Sequence, residues 1–308
     1  MNVQNSIDRP HGALKPSVRP TGLLGVVFAL FLAMLLVASA PEVLAQANDL
    51  PRPTERAELQ IPRLEEAPEI DGDLSDWRRR AHHDGVWDIH RIRETFWYDG
   101  GRRNRLTDHG EEAAPREDLR GRYYTAWDGE YLYFGVEATD NVNDVSDPNH
   151  APSRWHHKDA VCWFIEAPVD EAPEWFARGD NGFCFVADEE KPAYGAWWRH
   201  GTASESYVEE PIPEDAVEYS VRVDPQEEGA GDFVLEARVR MEPTLGVSDP
   251  DWEPPAVGDT YGMEIVHTDP DGGGYGGHFM IYGTGDDDAT WGRAVLVGPR
   301  APVERRPE

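Results

Sequence analysis

The chain has 308 residues and carries 59 acidic against 29 basic side chains, a formal net charge of −30. A protein this negatively charged repels nucleic-acid phosphates and anionic membrane surfaces, so the expected partners are neutral or cationic molecules. Disordered chains also carry large charges, but 11 tryptophans supply apolar surface for a packed core. We therefore predict a folded, acidic protein that does not bind nucleic acid.

The first 45 residues differ in composition from the rest of the chain. Three basic residues precede an apolar run over 23–40, and small residues follow at Val43 and Ala45. This order is typical of a secretory signal peptide, which we place at 1–45. The mature protein is then secreted, periplasmic or held at the cell surface, with no membrane span after cleavage. The alternative is an uncleaved anchor, since the apolar run approaches the length that crosses a bilayer.

The mature part of the chain is interpreted as one domain with short flanking segments. Residues 46–64 are rich in proline and glutamate, which indicates a linker that leads into a first strand. The domain is predicted over 65–298, with a long polar loop at about 100–120. Residues 299–308 form a polar tail.

From residue 122 onward, short apolar runs alternate with turn-forming residues, as is typical of an all-β sandwich or barrel. The predicted strands are 122–127, 132–139, 160–167, 182–187, 218–223, 233–240, 262–268, 279–282 and 293–297. No stretch shows the apolar period of a sizeable helix. We therefore predict an all-β fold, an antiparallel β-sandwich of the jelly-roll or immunoglobulin-like kind, with about 9–11 strands.

Two of these strands have informative patterns. Residues 132–136 are apolar on both faces, which predicts a central strand buried on both sides. In 233–240, apolar residues at the odd positions alternate with charged residues at Glu236, Arg238 and Arg240. This period of two predicts that the odd positions face the core and that the charged positions, Glu236 among them, face solvent.

Three segments, in this order, resemble the family 9 carbohydrate-binding modules. They are 70–77 (IDGDLSDW), 127–140 (WDGEYLYFGVEATD) and 155–166 (WHHKDAVCWFIE). The resemblance covers roughly 65–298 and implies a β-sandwich that binds an oligo- or polysaccharide without breaking a bond. It also implies a role in polysaccharide breakdown, beside a separately encoded glycoside hydrolase.

Proteins bind sugars by laying aromatic rings on the apolar faces of pyranose rings and by hydrogen bonding the hydroxyls. Trp155 lies in a polar loop, so its ring is expected to be exposed, and the resemblance places it at one wall of a two-tryptophan clamp. The loop over 283–289 lacks the second tryptophan. Trp197, Trp198 and Arg199 are candidates for a replacement platform, although adjacent strand residues point to opposite faces.

The chain has two cysteines, Cys162 and Cys184. In an exported protein, two cysteines on neighbouring strands most simply form one disulfide. The resemblance implies that both fall where the family keeps a charged pair that binds the sugar. The usual set of ligand contacts is therefore incomplete in this chain.

Oxygen-bearing side chains cluster after the predicted central strand. Asp140 ends this strand, and Asn141 and Asp144 follow in the next loop, where they offer hard ligands close together. The resemblance implies structural calcium, with Asp140 matching the acidic residue that ends this strand. The alternative is a solvated acidic loop. Asp269 opens the glycine-rich segment 269–277, which favours a plain turn over a metal site.

Two other functions fit the predicted fold. Haem-binding domains that resemble the cytochrome subunit of ethylbenzene-dehydrogenase-like enzymes need an axial methionine or histidine. The available side chains are Met241, Met263, Met280, His267 and His278. A glycoside hydrolase would need two suitably placed carboxylates, and 59 acidic residues always contain some pair. No nucleophile-elbow, zinc-protease, P-loop or Rossmann motif is present in the sequence.

Overall fold

A computed structural model of the chain describes residues 56–88, 94–99, 102–104, 119–145, 153–170, 177–190, 194–200, 207–223, 231–249, 251–270, 277–283 and 287–300. The structural statements below concern these residues. The predicted signal peptide (1–45) and most of the predicted linker lie outside them, as do residues 301–308 of the tail.

The described residues contain 15 strands. In chain order they are β1 (Glu58–Pro62), β2 (Trp87–Asp88), β3 (Glu94–Asp99), β4 (Arg102–Asn104), β5 (Leu119–Trp127), β6 (Tyr131–Asp140), β7 (Ala160–Glu166), β8 (Asp180–Val186), β9 (Gly195–Arg199), β10 (Val208–Pro211), β11 (Val217–Val223), β12 (Phe233–Arg240), β13 (Thr260–Asp269), β14 (Gly277–Met280) and β15 (Gly292–Val297). All nine predicted strands are present. The additional six are short or lie near sheet edges, where an apolar pattern is weak.

The strands form two sheets. The larger sheet has the order β10-β9-β8-β7-β13-β14-β3-β4, with β15 paired to β13 and β1 paired to β15. The smaller sheet has the order β11-β12-β6-β5-β2. Every pair is antiparallel except β1 with β15. The predicted antiparallel β-sandwich is therefore confirmed.

The inner faces of the two sheets meet in one apolar core. Phe134 of β6 stacks on Trp163 of β7 with ring centroids 4.9 Å apart, and its ring lies 6.2 Å from that of Phe183 in β8. All three side chains are fully buried. Ring contacts of this kind join the two sheets face to face, as in other sandwiches.

Strand β6 has the central position that its sequence predicts, between β12 and β5. Phe134 faces the inner core, whereas Tyr133 faces a second apolar cluster on the outer side of the smaller sheet. Gly135 also faces outward, and a Cβ atom there would stand 2.9 Å from a methyl carbon of Leu74. A glycine therefore allows the segment around Leu74 to lie directly on the sheet.

The same covering segment overturns the prediction that Glu236 faces solvent. Its side chain is 0% exposed, and its Oε2 accepts hydrogen bonds from the backbone N–H groups of Asp71 (3.0 Å) and Gly72 (2.9 Å). The indole N–H of Trp77 donates to Oε1. Gly72 adopts a φ of +83°, which turns the chain so that both amides point at the carboxylate. The segment 70–77 thus covers the outer face of the smaller sheet and is held there by hydrogen bonds to the Glu236 carboxylate. We call this segment the 70–77 lid.

Contacts of the described residues reach into the segments predicted as linker and tail. Strand β1 lies within the predicted linker 46–64, where Leu59 and Ile61 alternate toward the core, and the indole N–H of Trp127 donates to the carbonyl of Ile61 (3.0 Å). At the other end, Arg300 donates to the carbonyl of Gln60 (3.4 Å). Proline and glutamate near β1 suggested a linker, but pairing with β15 includes this segment in the sheet.

Helical structure within the described residues is limited to short turns. One α-helix, α1 (Leu245–Ser248), and 3₁₀ turns at Leu74–Asp76, Trp155–His157 and Asp288–Thr290 are present. Within the described ranges, no helix has the length and apolar character that a membrane span requires.

Candidate functional site

The outer face of the larger sheet carries the disulfide. Cys162 of β7 and Cys184 of β8 stand directly opposite each other, with a Cα–Cα distance of 4.0 Å, and are joined by a disulfide bond. Both are fully buried within an apolar cluster that also contains Phe164 and Val186. This patch of the sheet is therefore apolar and cross-linked, and these two positions present no charged pair to a ligand.

Trp155 covers this cluster, and the prediction of an exposed ring is wrong. The residue is 2% exposed and begins a 3₁₀ turn that folds back over the sheet. Its ring is stacked on that of His278 at 6.1 Å and meets the ring of Trp198 edge-on at 5.4 Å. The polar neighbours of Trp155 in sequence suggested exposure, but β14 and β9 bring apolar and aromatic partners to it. Its proposed contact with sugar remains a prediction.

The aromatic residues on this face form one continuous group, here called the aromatic layer: Trp155, Trp198, Tyr207 and His278. Trp155 and His278 are buried, whereas Trp198 and Tyr207 are half-buried. The rings of Trp198 and Tyr207 are stacked, with centroids 4.9 Å apart and an angle of 19° between their planes. The accessible part of the aromatic layer is therefore this stacked pair, at the β9–β10 edge of the larger sheet.

The other two residues predicted for the platform lie on the opposite face of the sheet. Trp197 is buried in the inner core, where its indole N–H donates to the Oδ1 of Asn181 (3.0 Å). The guanidinium of Arg199 lies over the Trp197 ring at 4.8 Å and pairs with Glu210 at 2.8 Å. The alternation of a strand separates Trp198 from both, as the sequence predicted for the two tryptophans.

A carboxylate lies beside the accessible rings. Glu209 pairs in register with Trp198, so both side chains lie on the outer face, and Glu209 is half-buried. Burial raises the pKa of Glu209, while the indole N–H of Trp198 and the charge of Arg154 act against that rise. Stacked rings next to a hydrogen-bonding carboxylate are the two elements that sugar recognition requires. The sequence did not predict Tyr207 and Glu209 as site residues, because β10 is a short edge strand without an apolar pattern.

Three aspartates from distant parts of the sequence meet at one end of the sandwich. Asp140 ends β6, Asp159 immediately precedes β7 and Asp269 ends β13. Each is buried, and a carboxylate oxygen from each lies within 4.8 Å of the others. We call this group the aspartate triad. Its donors are hard oxygens alone, which is the donor type that Ca²⁺ takes in proteins.

The aspartate triad differs from the predicted calcium ligands. Asn141 is exposed, and neither Asn141 nor Asp144 belongs to the described cluster around Asp140. Asp144 contributes its backbone N–H, which donates to the Oδ2 of Asp159. Asp159 and Asp269 lie beside Asp140 because neighbouring strands, rather than the local loop, bring carboxylates to it. The signal available in the sequence was an acidic residue at the terminus of each predicted strand.

The side chains considered for haem ligation lie on both sides of the larger sheet. Met263 and Met241 belong to the inner core, whereas Met280 belongs to the outer cluster. The Nδ1 atom of His267 lies 2.9 Å from the hydroxyl of Tyr123, with which it shares a buried hydrogen bond. His278 stacks on Trp155.

The fold and the site together define a β-sandwich binding domain, with an aromatic layer on one sheet and a carboxylate cluster at one end. The sequence profile of the carbohydrate family 9 binding domain-like family matches residues 101–299, more than half of the chain. The chain belongs to this family. No curated protein matches it in sequence.

Solved structures similar to this chain include two of a family 9 carbohydrate-binding module from Caldicellulosiruptor kristjanssonii. The complex with cellotriose is 14% identical in sequence, covers 81% of this chain and 98% of its own, and has a TM-score of 0.48. The complex with glucose is also 14% identical, with 80% and 100% coverage and the same TM-score of 0.48.

Proposed function

We propose that this protein is an exported, non-catalytic domain that binds an oligo- or polysaccharide through the accessible part of its aromatic layer. The observation that carries the proposal is the half-buried stacked pair Trp198 and Tyr207, beside the carboxylate of Glu209. Membership of the carbohydrate-binding family supports the same ligand class. The predicted signal peptide and the disulfide fit an oxidising compartment outside the cytoplasm, where polysaccharide is degraded.

Binding follows from the chemistry of the two surfaces. A pyranose ring presents C–H groups on one face and hydroxyls at its edge, so the C–H face packs on an indole or phenol ring. The carboxylate of Glu209 accepts hydrogen bonds from the hydroxyls at the rim. Trp155 and His278 lie beneath this surface and hold Trp198 in place, which limits the entropy lost when the sugar binds.

Membership of the carbohydrate-binding family supports a non-catalytic role. A glycoside hydrolase needs two carboxylates that flank the scissile bond and reach the substrate. The aspartate triad brings carboxylates close together, but all three are buried. Glu209 is the carboxylate that lies in register beside the accessible rings.

Replacing Trp198 or Tyr207 with alanine is expected to weaken saccharide binding by roughly fivefold or more, because each ring supplies about 1 kcal/mol or more of stacking. Affinity electrophoresis against a panel of soluble plant and microbial polysaccharides identifies the ligand, and calorimetry with a matching oligosaccharide measures the change. The proposal fails if the unaltered protein binds no polysaccharide in the panel.

The matched control is Tyr131→Ala. Tyr131 is also a half-buried aromatic residue, but it lies on β6 of the smaller sheet, where Arg238 covers its ring at 4.9 Å. This variant is expected to bind saccharide as tightly as the unaltered chain. Equal binding by Trp198→Ala and Tyr131→Ala would place the sugar site away from the aromatic layer.

We further propose that the aspartate triad holds a structural calcium ion. Three buried carboxylates this close repel one another unless a cation compensates their charge. Calcium at this point would tie the ends of β6 and β13 to the segment before β7, and so would join the smaller sheet to the larger one. The proposal keeps Asp140 as a calcium ligand and adds Asp159 and Asp269 in place of Asn141 and Asp144.

Removal of calcium is expected to lower the melting temperature by roughly 5–10 °C, because an ion present at about a hundred times its Kd stabilises the folded state by about 2.7 kcal/mol. Differential scanning calorimetry with and without a calcium chelator measures the shift. Asp159→Asn is expected to reduce the chelator effect, whereas Asp215→Asn, at an exposed position, should leave it unchanged. An unaltered chelator effect in Asp159→Asn would contradict the assignment.

A further inference from the structure

A cleft lies on the outer face of the smaller sheet, beside the 70–77 lid. Its volume is about 340 Å³, which is at the lower end of the roughly 300–1,000 Å³ typical of sites for small molecules. Glu137 of β6, Val234 of β12 and Arg222 of β11 line it and follow one another across three paired strands. We call it the lid cleft. The aromatic layer lies on the outer face of the other sheet, so one sugar unit cannot contact both.

The lid fixes the position of Arg222 at the cleft. The aliphatic stem of Arg222 packs on Gly72, where an added Cβ atom would stand 2.9 Å from the arginine Cγ. The guanidinium then lies 3.4 Å from the carboxylate of Asp71. Gly72 therefore has two effects: it turns the lid amides toward Glu236, and it leaves the space that the arginine side chain occupies.

Arg78, directly after the lid, brings a second guanidinium to the cleft. Its Nη1 donates to the Oε1 of Glu137. The Oε2 of the same carboxylate accepts a hydrogen bond from the Tyr124 hydroxyl (2.5 Å) and lies 3.6 Å from the Nη1 of Arg122. One carboxylate thus serves two guanidinium groups, and both of its oxygens are already in use. The Glu137 side of the cleft therefore offers a ligand positive charge rather than acceptors.

Both arginines of the lid cleft have donors left for a ligand. A guanidinium carries five N–H donors in a planar fork. Within the described ranges, Arg78 pairs with a single carboxylate, that of Glu137. Arg222 likewise pairs with that of Asp71, and both members of this pair are about half exposed. So exposed a pair contributes little to stability, and Arg222 can bind a second carboxylate at small cost.

The two guanidinium groups favour negative charge at the cleft, although the chain as a whole has a net charge of −30. Asp73 lies at the rim, and its pKa is below the ordinary value. Hydrogen bonds from Ser75 are the first cause, and the charges of Arg222 and Arg78 add to it. An anionic ligand group beside these arginines is stabilised in the same way. Long polyanions are still repelled by the whole protein, so the ligand carries few charges.

We propose that the lid cleft binds the carboxylate of a sugar acid, as a monosaccharide or as an acidic unit of a short oligosaccharide. Guanidinium groups bind carboxylates through two parallel hydrogen bonds, which neutral hydroxyls do not match. The side chains of Val223 and Val234 offer an apolar surface to the C–H face of the ring, and Asp73 offers an acceptor to its hydroxyls. The choice of a sugar acid, rather than another small carboxylate, rests on the proposed function.

Calorimetric titration of the full-length protein with galacturonate, galactose and acetate tests the inference. Galacturonate is expected to bind roughly tenfold more tightly than the other two, because it alone has both the carboxylate and the ring. Arg222→Met keeps the aliphatic stem and is expected to weaken galacturonate binding by roughly tenfold or more. Arg240→Met is the matched control: Arg240 also pairs with an aspartate at 3.4 Å on this face of the sheet, but it does not line the cleft. This variant should bind galacturonate as tightly as the unaltered protein.

Several outcomes would overturn the inference. Equal binding of galacturonate and galactose would show that the carboxylate is not recognised, and equal binding of galacturonate and acetate would show that the sugar ring is not. Unchanged galacturonate binding in a folded Arg222→Met variant would place the ligand elsewhere. If Arg222→Met does not fold, Arg78→Met replaces it and is expected to show the same loss of binding.

Binding of neutral polysaccharide is measured in the same variants, so that the two proposals fail separately. Arg222→Met should leave it unchanged, because Arg222 lies on the sheet opposite the aromatic layer. If neutral polysaccharide binds and galacturonate does not, the inference about the lid cleft fails alone. If galacturonate binds through Arg222 and no neutral polysaccharide binds, the role proposed for the aromatic layer fails and the lid cleft stands.

Discussion

Replacing Glu236 with alanine is expected to lower the free energy of unfolding by roughly 3–5 kcal/mol, the largest effect of any polar substitution considered for this chain. The change removes the acceptor of three N–H groups, those of Asp71, Gly72 and the Trp77 indole, of which the last two are buried. It also releases the 70–77 lid from the outer face of the smaller sheet. Urea unfolding followed by tryptophan fluorescence measures the loss.

The stability of the conservative variant Glu236→Gln, relative to that of the unaltered protein, is expected to depend on pH. Burial raises the pKa of Glu236 to about 7 from an ordinary value of 4.5, against the opposing effect of the three N–H donors. The folded state therefore holds the proton more tightly, and this contribution to stability is present below pH 4.5 and lost as the pH rises through about 7. The neutral glutamine does not titrate, so its stability relative to the unaltered protein should improve between pH 4.5 and pH 8.

A control variant distinguishes the loss of the Glu236 hydrogen bonds from the loss of any charged side chain on β12. Arg238→Ala removes a half-buried partner of Glu218 on the same strand and is expected to cost about 1 kcal/mol or less. If Glu236→Ala costs no more than Arg238→Ala, the carboxylate does not anchor the lid. Combining Glu236→Ala with Trp77→Phe should cost less than the sum of the two single changes, because both remove the same hydrogen bond.

Removing the disulfide is the second large effect. The double variant Cys162→Ala with Cys184→Ala is expected to lose roughly 3 kcal/mol of stability and to melt about 6–12 °C lower, because the bond constrains the unfolded chain over a separation of 22 residues. The disulfide also lies beneath the aromatic layer. We therefore expect weaker saccharide binding as well, through looser packing of Trp155 rather than through a lost contact with the sugar.

Val186→Ala is the control for this experiment. Val186 is buried in the same outer cluster, so the substitution removes apolar volume there without touching the cross-link. Its cost is expected to be about 1–2 kcal/mol. Because this variant retains the disulfide, a reductant should destabilise it as it does the unaltered protein, whereas the double cysteine variant should not respond to reductant. A double alanine variant as stable as the unaltered protein would show that the bond contributes nothing to the native state.

The candidate site was only partly predictable, and the failures have a common cause. Trp155 has polar neighbours in sequence, but its neighbours in space are Trp198 and His278, 43 and 123 positions away. Its burial is therefore decided by strand pairing. The sequence correctly predicted that Trp197 and Trp198 point to opposite faces of the sheet. It did not predict which of the two faces is accessible, because this depends on where the smaller sheet packs.

The aspartate triad shows the same dependence more strongly. Asp140 was predicted as a calcium ligand because it ends a strand and is followed by a loop rich in oxygen-bearing side chains. In the structure it lies in a cluster of acids. Its partner Asp159 comes from the segment just before β7 and its partner Asp269 from the end of β13, both strands of the other sheet. Local spacing along the loop favoured Asn141 and Asp144 instead, since a single sequence shows neighbours along the chain and not across the sandwich.

The sequence by itself determined the class of fold, the nine principal strands and the family, because alternation of apolar residues and short motifs are local properties. The apolar positions of β12 and the central place of β6 follow from the same pattern. Only the tertiary structure decided that Glu236 is buried, that Trp155 is covered and that Asp159 and Asp269 lie beside Asp140. In each case the deciding contact joins segments far apart in the chain, and burial of a polar group is stable only where such partners supply its hydrogen bonds or charge.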